Sequence, residues 1–192
     1  MDSSYFTNPL VFLVQVLFGL YLLIVMLRFL LQVVRADFYN PISQFIVKAT
    51  APLLSPLRAV IPGFGGLDFS SLILAWLIKS LELFLILLIS GKGLMFLYPL
   101  IQAVPALLEL VINIFLFSVL IMVILSWLSP GGHNPAVGLL YNLTEPLLKP
   151  ARKMLPPMGG LDLSPMLVMI GLVLLKMLLI PPLEHLAARI VF

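Results

Sequence analysis

The chain has 192 residues, 62% of them hydrophobic and only 10% charged, with a formal net charge of +3 and a mean hydropathy of +1.19. Soluble domains carry about a quarter of their residues as charged side chains, so this composition describes an integral membrane protein and leaves no room for a separate soluble enzyme domain. Cysteine is absent, which excludes disulfides, thiol catalysis, iron–sulfur ligation and thiol-linked haem.

The first predicted element is an apolar stretch from about Leu10 to Val34, longer than the roughly 20 residues a membrane crossing requires. Asp2 but no Lys or Arg precedes it, and no small-residue cleavage site comes after it; a retained helix is expected, not a signal peptide. Within it, Arg28 lies about two turns before Arg35 and is expected to snorkel to the interface.

The next segment, up to Ser70, carries Arg35, Lys48 and Arg58. Ile42, Phe45, Ile46 and Ala49 fall at i, i+3, i+4 and i+7 and predict one apolar helical face, with Gln44 and Lys48 off it. Pro52 is expected to end that piece and Pro56 to permit another. Short amphipathic pieces of this kind lie in the membrane interface; a re-entrant element is the alternative, and needs protein to cover its backbone. Gly65 and Gly66 then supply a reversal, and Asp68 or Ser70 an N-cap for the next helix.

That helix is the second span, about Leu72 to Ile89, and contains Lys79 and Glu82 three residues apart. A short loop with only Lys92 leads to the third span, about Ala106 to Leu128, in which Glu109 and Asn113 share an i, i+4 face. A second basic segment with Lys149, Arg152 and Lys153 precedes the fourth span, about Met166 to Leu183 and bearing Lys176; Arg189 lies in the tail. The positive-inside rule places both basic segments in the cytoplasm and both termini on the far side. The net positive charge is explained by these loops, so direct nucleic-acid binding is not expected. His133 and His185 lack ligand spacing, and no metal or cofactor is expected.

The two basic segments are copies of one another, 94 positions apart. Asn40-Pro41, Thr50, Pro52, Leu53-Leu54, Pro56, Arg58, Pro62, Gly65-Gly66-Leu67-Asp68 and Ser70 recur as Asn134-Pro135, Thr144, Pro146, Leu147-Leu148, Pro150, Arg152, Pro156, Gly159-Gly160-Leu161-Asp162 and Ser164. Fourteen of the 35 positions from 40 to 74 are identical to their counterparts without a gap, which marks an internal duplication. The chain therefore divides at residues 1–98 and 99–192, two units of two spans each. Both hairpins enter and leave by the same face, so the repeats are parallel, unlike the inverted repeats of many transporters. The expected fold is an all-α membrane protein of four transmembrane helices, built as two tandem hairpins with interfacial amphipathic loops.

The paired Asn-Pro, Pro-x-x-x-Pro-x-Arg-x-x-x-Pro and Gly-Gly-Leu-Asp-x-Ser elements, with Asp37-Phe38-Tyr39 entering the first and Leu125-Ser126-Trp127 preceding the second, resemble the bacterial YggT family. The resemblance covers nearly the whole chain and extends to YlmG proteins and chloroplast relatives. It implies a small multi-spanning protein of the bacterial inner membrane. The relatives' associations are with cell-division gene neighbourhoods, nucleoid organisation, cytochrome assembly and osmotic tolerance, with no catalytic residue set to carry over. Many relatives have one copy of the repeat, so a two-copy chain is equivalent to a fused dimer.

Two constellations carry whatever chemistry the chain has. Arg58 and Arg152 each precede the Asp of their own copy by ten residues, Asp68 and Asp162, and a guanidinium folded back onto the carboxylate would clamp the loop. The alternative is that Arg58, Arg152, Lys149 and Lys153 bind anionic lipid headgroups or an acidic partner. Deeper in the membrane, the offset of 94 sets Glu82 opposite Lys176; ionisable groups there are costly and normally meet protein or water. An interhelical Glu82–Lys176 pair is expected, as packing glue or as part of a polar path. Nucleotide-binding, zinc-protease and serine-hydrolase motifs are absent, and an enzyme is not expected. The function expected is a membrane scaffold or assembly factor, its partners lipids, anionic ones included, and membrane or division-associated proteins; homo-oligomers are a further expectation. The alternative is a small ion or osmolyte channel or transporter, which flux in liposomes would reveal.

Overall fold

The computed structural model describes residues 4–61, 63, 67–93, 96–128, 134–155 and 162–191. Six helices occur in chain order: α1 (Ser4–Val33), α2 (Pro41–Val60), α3 (Phe69–Ile89), α4 (Leu97–Leu128), α5 (Pro135–Met154) and α6 (Ser164–Val191). Four of them, α1, α3, α4 and α6, contain stretches long and apolar enough to cross a membrane: Thr7–Val33, Phe69–Ile89, Leu97–Leu125 and Ser164–Ile190. The third begins nine residues before the expected Ala106, because α4 runs through Pro105; α6 likewise runs through Pro181 and Pro182. Proline stops a helix less effectively in a packed membrane bundle, where neighbouring side chains, ordered water or local adjustment can serve the carbonyl it frees.

The same correction applies to α2 and α5. Each is one helix of 20 residues, not two short pieces, although α2 contains Pro52 and Pro56 and α5 contains Pro146 and Pro150. All four prolines are exposed, so the missing N–H groups fall on an outer flank while the inner flank keeps its hydrogen bonds. Thr50 Oγ1 reinforces that inner flank by donating to the Ile46 carbonyl at 2.8 Å, as Thr144 Oγ1 does to Leu140 at 2.8 Å.

Several of the helix ends have a local reason. Asn40 caps α2, its side-chain oxygen accepting from Ile42 N at 2.9 Å with Pro41 at the first helical position; Asn134 caps α5 through Ala136 N at the same distance, before Pro135. At the end of α3 the Lys92 amide reaches back to the Leu87 carbonyl and the Gly91 amide to Leu88, with Gly91 at φ +67, the arrangement by which a glycine closes a helix. The end of α1 closes in the same pattern, Ala36 N to Leu31 O and Arg35 N to Gln32 O, but with Arg35 at φ +53 in the glycine position. Ala36 and Leu31 are both buried and share a cluster with Ile46 and Leu139, so apolar contact offsets the left-handed backbone.

Within each repeat the two spans pack along their lengths, α1 against α3 and α4 against α6, with α2 and α5 across their ends; α3 and α4 then join the repeats. The main core combines Leu22, Val25, Met26 and Leu30 of α1 with Leu54 of α2, Leu74 and Ala75 of α3, Ile114 of α4 and Leu143 of α5. Both copies therefore contribute to one core. A smaller cluster in the second repeat joins Ile112 to Leu172 and Ile180.

Candidate functional site

In α2 the buried positions are Ser43, Ile46, Thr50 and Leu54, a stripe rotated from the expected face. Ile42 and Phe45 lie beside that stripe and are exposed, Ala49 is half-buried, and Gln44 and Lys48 lie on the exposed polar flank. The helix thus has three faces, one toward protein, one apolar and outward, one polar. A helix lying in the interface has this pattern. In α5 the buried stripe is Leu139, Leu143, Thr144, Leu148 and Ala151.

The two amphipathic helices are at the same end of the bundle and touch. Asn40 Nδ2 donates to the Pro135 carbonyl at 2.7 Å, so the cap of one copy is bonded to the first turn of the other.

Both copies fold the arginine back onto the aspartate. Arg58 is hydrogen-bonded to Asp68, and Arg152 Nε lies 3.2 Å from Asp162 Oδ2. The clamp reading of the ten-residue spacing is what the geometry contains. The copies differ around it. Asp68 is only 4% exposed and also accepts from Ser71 Oγ at 2.7 Å, while Ser70 Oγ donates to the Ile61 carbonyl at 2.8 Å and ties the start of α3 to the end of α2. Asp68 makes no side-chain capping bond to the helix. Asp162 does accept from the Ser164 amide, at 2.9 Å, and Arg152 holds Glu145 as well, Nη1 to Oε2 at 2.8 Å. The hydroxyl of Ser164, counterpart of Ser70, is buried without a partner among the described residues.

The electrostatics reflect the contacts. Burial by itself would raise the pKa of Asp68, but the hydrogen bonds from Arg58 and Ser71 and the charges of Arg58 and Arg28 outweigh it and hold the carboxyl below its ordinary value. Asp162 is also lowered: the cost of burial is exceeded by the hydrogen bonds from the Ser164 amide and Arg152 and by the Arg152 charge. Arg152 is raised, because Glu145 and Asp162 outweigh its desolvation.

Arg28 departs from expectation. Its side chain does not reach water; it is 5% exposed and turns onto α2, where Nη1 donates to the Val47 carbonyl at 3.1 Å and to the Thr50 hydroxyl. α2 covers the route to solvent and supplies acceptors instead. Met122 is the counterpart of Arg28 at the offset of 94, so this second anchor belongs to the first copy alone.

The expected Glu82–Lys176 pair is not formed. Lys79 Nζ lies 2.9 Å from both carboxylate oxygens of Glu82 within α3, and Lys176 reaches across to α4, 2.8 Å from Glu109 Oε1 and 3.0 Å from Asn113 Oδ1. A three-residue spacing within one helix costs no reorganisation, so Glu82 is already satisfied. The i, i+4 face of Glu109 and Asn113 presents two acceptors to Lys176. The duplication identifies equivalent depth; it does not identify who meets whom.

Pro62, Gly65, Gly66, Pro156, Gly159 and Gly160 lie outside the described residues. Several residues that the sequence left without a role turn out to be structural partners: Thr50 and Thr144 are completely buried, and Glu145 is the second ligand of Arg152. The signal for the threonines was present in their exact repetition. Glu145 replaces Ala51 in the copy, so repetition carried no signal for it.

A family model described as CCB3/YggT matches residues 7–89 and again 101–183. The chain belongs to the CCB3/YggT family. The two matched segments are offset by 94 residues, the offset of the duplicated motif. The chain is 52% identical over 172 residues to an uncharacterized protein of Pseudomonas aeruginosa, covering 88% of this chain and 87% of that one. It is 41% identical over 175 residues to the uncharacterized protein YggT of Escherichia coli K12, covering 88% of each. It is also 40% identical over 170 residues to an uncharacterized protein in the proC 3′ region of Vibrio alginolyticus, covering 86% of this chain and 90% of that protein. No solved structure matches.

Proposed function

We propose that this CCB3/YggT-family chain is a non-enzymatic scaffold or assembly factor of the bacterial inner membrane, whose paired amphipathic helices form a platform for anionic headgroups and membrane protein partners. The observation that carries this reading is the bonded pair α2–α5: two capped, clamped helices at one end of the bundle, joined by Asn40 and Pro135. A rigid platform of this kind suits recruitment, because little is lost in ordering it on binding.

The residues assigned to recruitment shift from the arginines to the lysines. Arg58 and Arg152 hold carboxylates of their own chain, whereas Lys48, Lys149 and Lys153 are exposed and make no ion pair among the described residues. Tyr39, Phe45 and Met154 stand exposed on the same two helices and their entry, giving the apolar contribution an interfacial surface needs. With this platform in the cytoplasm, both termini are periplasmic.

Replacing Lys48, Lys149 and Lys153 together by Gln tests the assignment. Each interfacial cation contributes about 1 kcal/mol toward an anionic leaflet, so native lipid particles purified around the variant should show severalfold less anionic lipid and lose protein partners retained by the wild type. Unchanged lipid and protein content would refute the platform reading. For orientation, an impermeant thiol reagent applied to intact cells should label Ser90→Cys and spare Ser55→Cys; the reverse would invert the topology.

A further inference from the structure

The mid-membrane charges do more than pair. A cavity of about 220 Å³ lies between α1, α3 and α4, lined by Lys79, Glu109 and Asn113 together with Gly19, Leu22 and Leu110. Lys79 has three N–H donors and Glu82 provides two acceptor oxygens. Glu109 engages Lys176 through Oε1 and Asn113 through Oδ1, so Glu109 Oε2 and the Asn113 amide donors have no partner in those contacts. Polar capacity is therefore left over on three side chains around one space, and a liquid water occupies about 30 Å³.

The position is deep. Counting about 1.5 Å per residue, Lys79 is roughly 15 Å along α3 from its start and Glu109 roughly 18 Å along α4 from the opposite end. Polar side chains also lead there. Tyr98, Gln102, Glu109 and Asn113 fall at i, i+4, i+11 and i+15 of α4, within about 60° of one another around the helix. At the outer end of this stripe a second cavity, of about 230 Å³, is lined by Tyr98, Gln102, Pro181, Glu184 and His185, between the beginning of α4 and the end of α6. Between the two, Pro105 lacks an N–H and leaves the Ile101 carbonyl without its helical donor.

We infer that the inner cavity is a hydrated site at the middle of the membrane, reached along the α4–α6 seam from the face opposite the amphipathic helices, and that it takes water and small hydrophilic solutes. Separate residues carry this site and the platform, and either can stand without the other. The repeats are not equivalent here: Gln15 and Gly19 are the counterparts of Glu109 and Asn113, so one side of the site is polar and the other is open. Gly19 leaves room, since a Cβ built on it meets nothing within 4 Å.

The natural absence of cysteine makes the site directly testable. Single variants at two lining positions, Gly19→Cys and Ala106→Cys, place a thiol at the inner cavity without removing a polar group; Leu20→Cys, 58% exposed on the outside of α1, is the lipid-facing control at the same depth; and Lys92→Cys marks the α3–α4 loop. In oriented proteoliposomes a small, permanently charged methanethiosulfonate should modify the cavity thiols from the face that modifies Lys92→Cys. Their rate should exceed that of Leu20→Cys by at least about tenfold, because a thiolate does not form in hydrocarbon. Two cavity positions are used so that poor expression of one leaves the other readable, and elution as a single species confirms folding. Rates equal to the control would overturn the hydrated site, and modification only from the face of the amphipathic helices would overturn the route.

Discussion

Asp68 and Asp162 occupy the same place in the two copies and are held differently, and the difference lies in single residues. Arg28 and Arg58 bring two positive charges near Asp68, while Arg152 is shared between Glu145 and Asp162. The first site has one positive charge in excess and the second one negative. Asp68 is the more deeply buried, so it should dominate acid sensitivity. Its folded pKa is depressed; the stabilisation is thus present above the unfolded value near pH 4 and is lost as pH falls through the lower folded value. Thermal unfolding in detergent should show the wild type losing stability through this window and Asp68→Asn losing less of it, from a starting point about 1–3 kcal/mol lower. Parallel pH profiles would show that Asp68 is not the linked group.

The same scale decides the intramembrane pairs. A double-mutant cycle on Glu109→Gln and Lys176→Met should give a coupling on the order of 1 kcal/mol, the range found for polar contacts between membrane helices. The cycle on Glu82→Gln and Lys176→Met should give none. Coupling in the second and not in the first would mean that Lys176 faces the wrong carboxylate.

At the scale of elements, α2 shows how one amphipathic helix meets two environments. Ile46 is 5% exposed inside a cluster with Leu31 and Leu139, whereas Phe45, the preceding residue, is 62% exposed. Ile46→Asp should therefore unfold or strongly destabilise the protein, by at least about 3 kcal/mol, since a carboxylate would enter an apolar cluster with no partner. Phe45→Asp should leave the melting temperature nearly unchanged and instead loosen the seating of α2 in the interface, read as faster proteolysis of this segment in vesicles that expose it. Equal effects of the two would mean that α2 does not have separate protein-facing and membrane-facing sides.

At the scale of the molecule, duplication has not produced two independent halves. Leu143 of α5 and Ile114 of α4 belong to the core built around α1, Trp76 Nε1 of α3 donates to the Leu100 carbonyl of α4 at 2.8 Å, and Asn40 bonds to Pro135. Fragments 1–98 and 99–192, expressed together, should copurify in detergent as a one-to-one complex, while either alone should aggregate or be degraded. Recovery of each fragment as a stable species by itself would show that the shared core is dispensable.

The apolar spans, the helical class, the duplication and, as one of two readings of the repeated arginines, the clamps were legible in the chain, because each depends on composition or on short-range spacing. Apolar length decides what can cross hydrocarbon, the identical 94-residue offset exposes the duplication, and ten residues around a turn bring an arginine within reach of an aspartate, which the structure shows it takes. Tertiary structure decided the remainder. Whether Pro52 and Pro105 stop their helices depended on which flank they occupy and what packs there. Whether Arg28 snorkels depended on α2 lying across its path, and the partner of Lys176 depended on which face of α4 it meets. Those outcomes are set by contacts between segments far apart in sequence, and neither periodicity within one helix nor identity between two copies encodes the distance across the space where the helices come together.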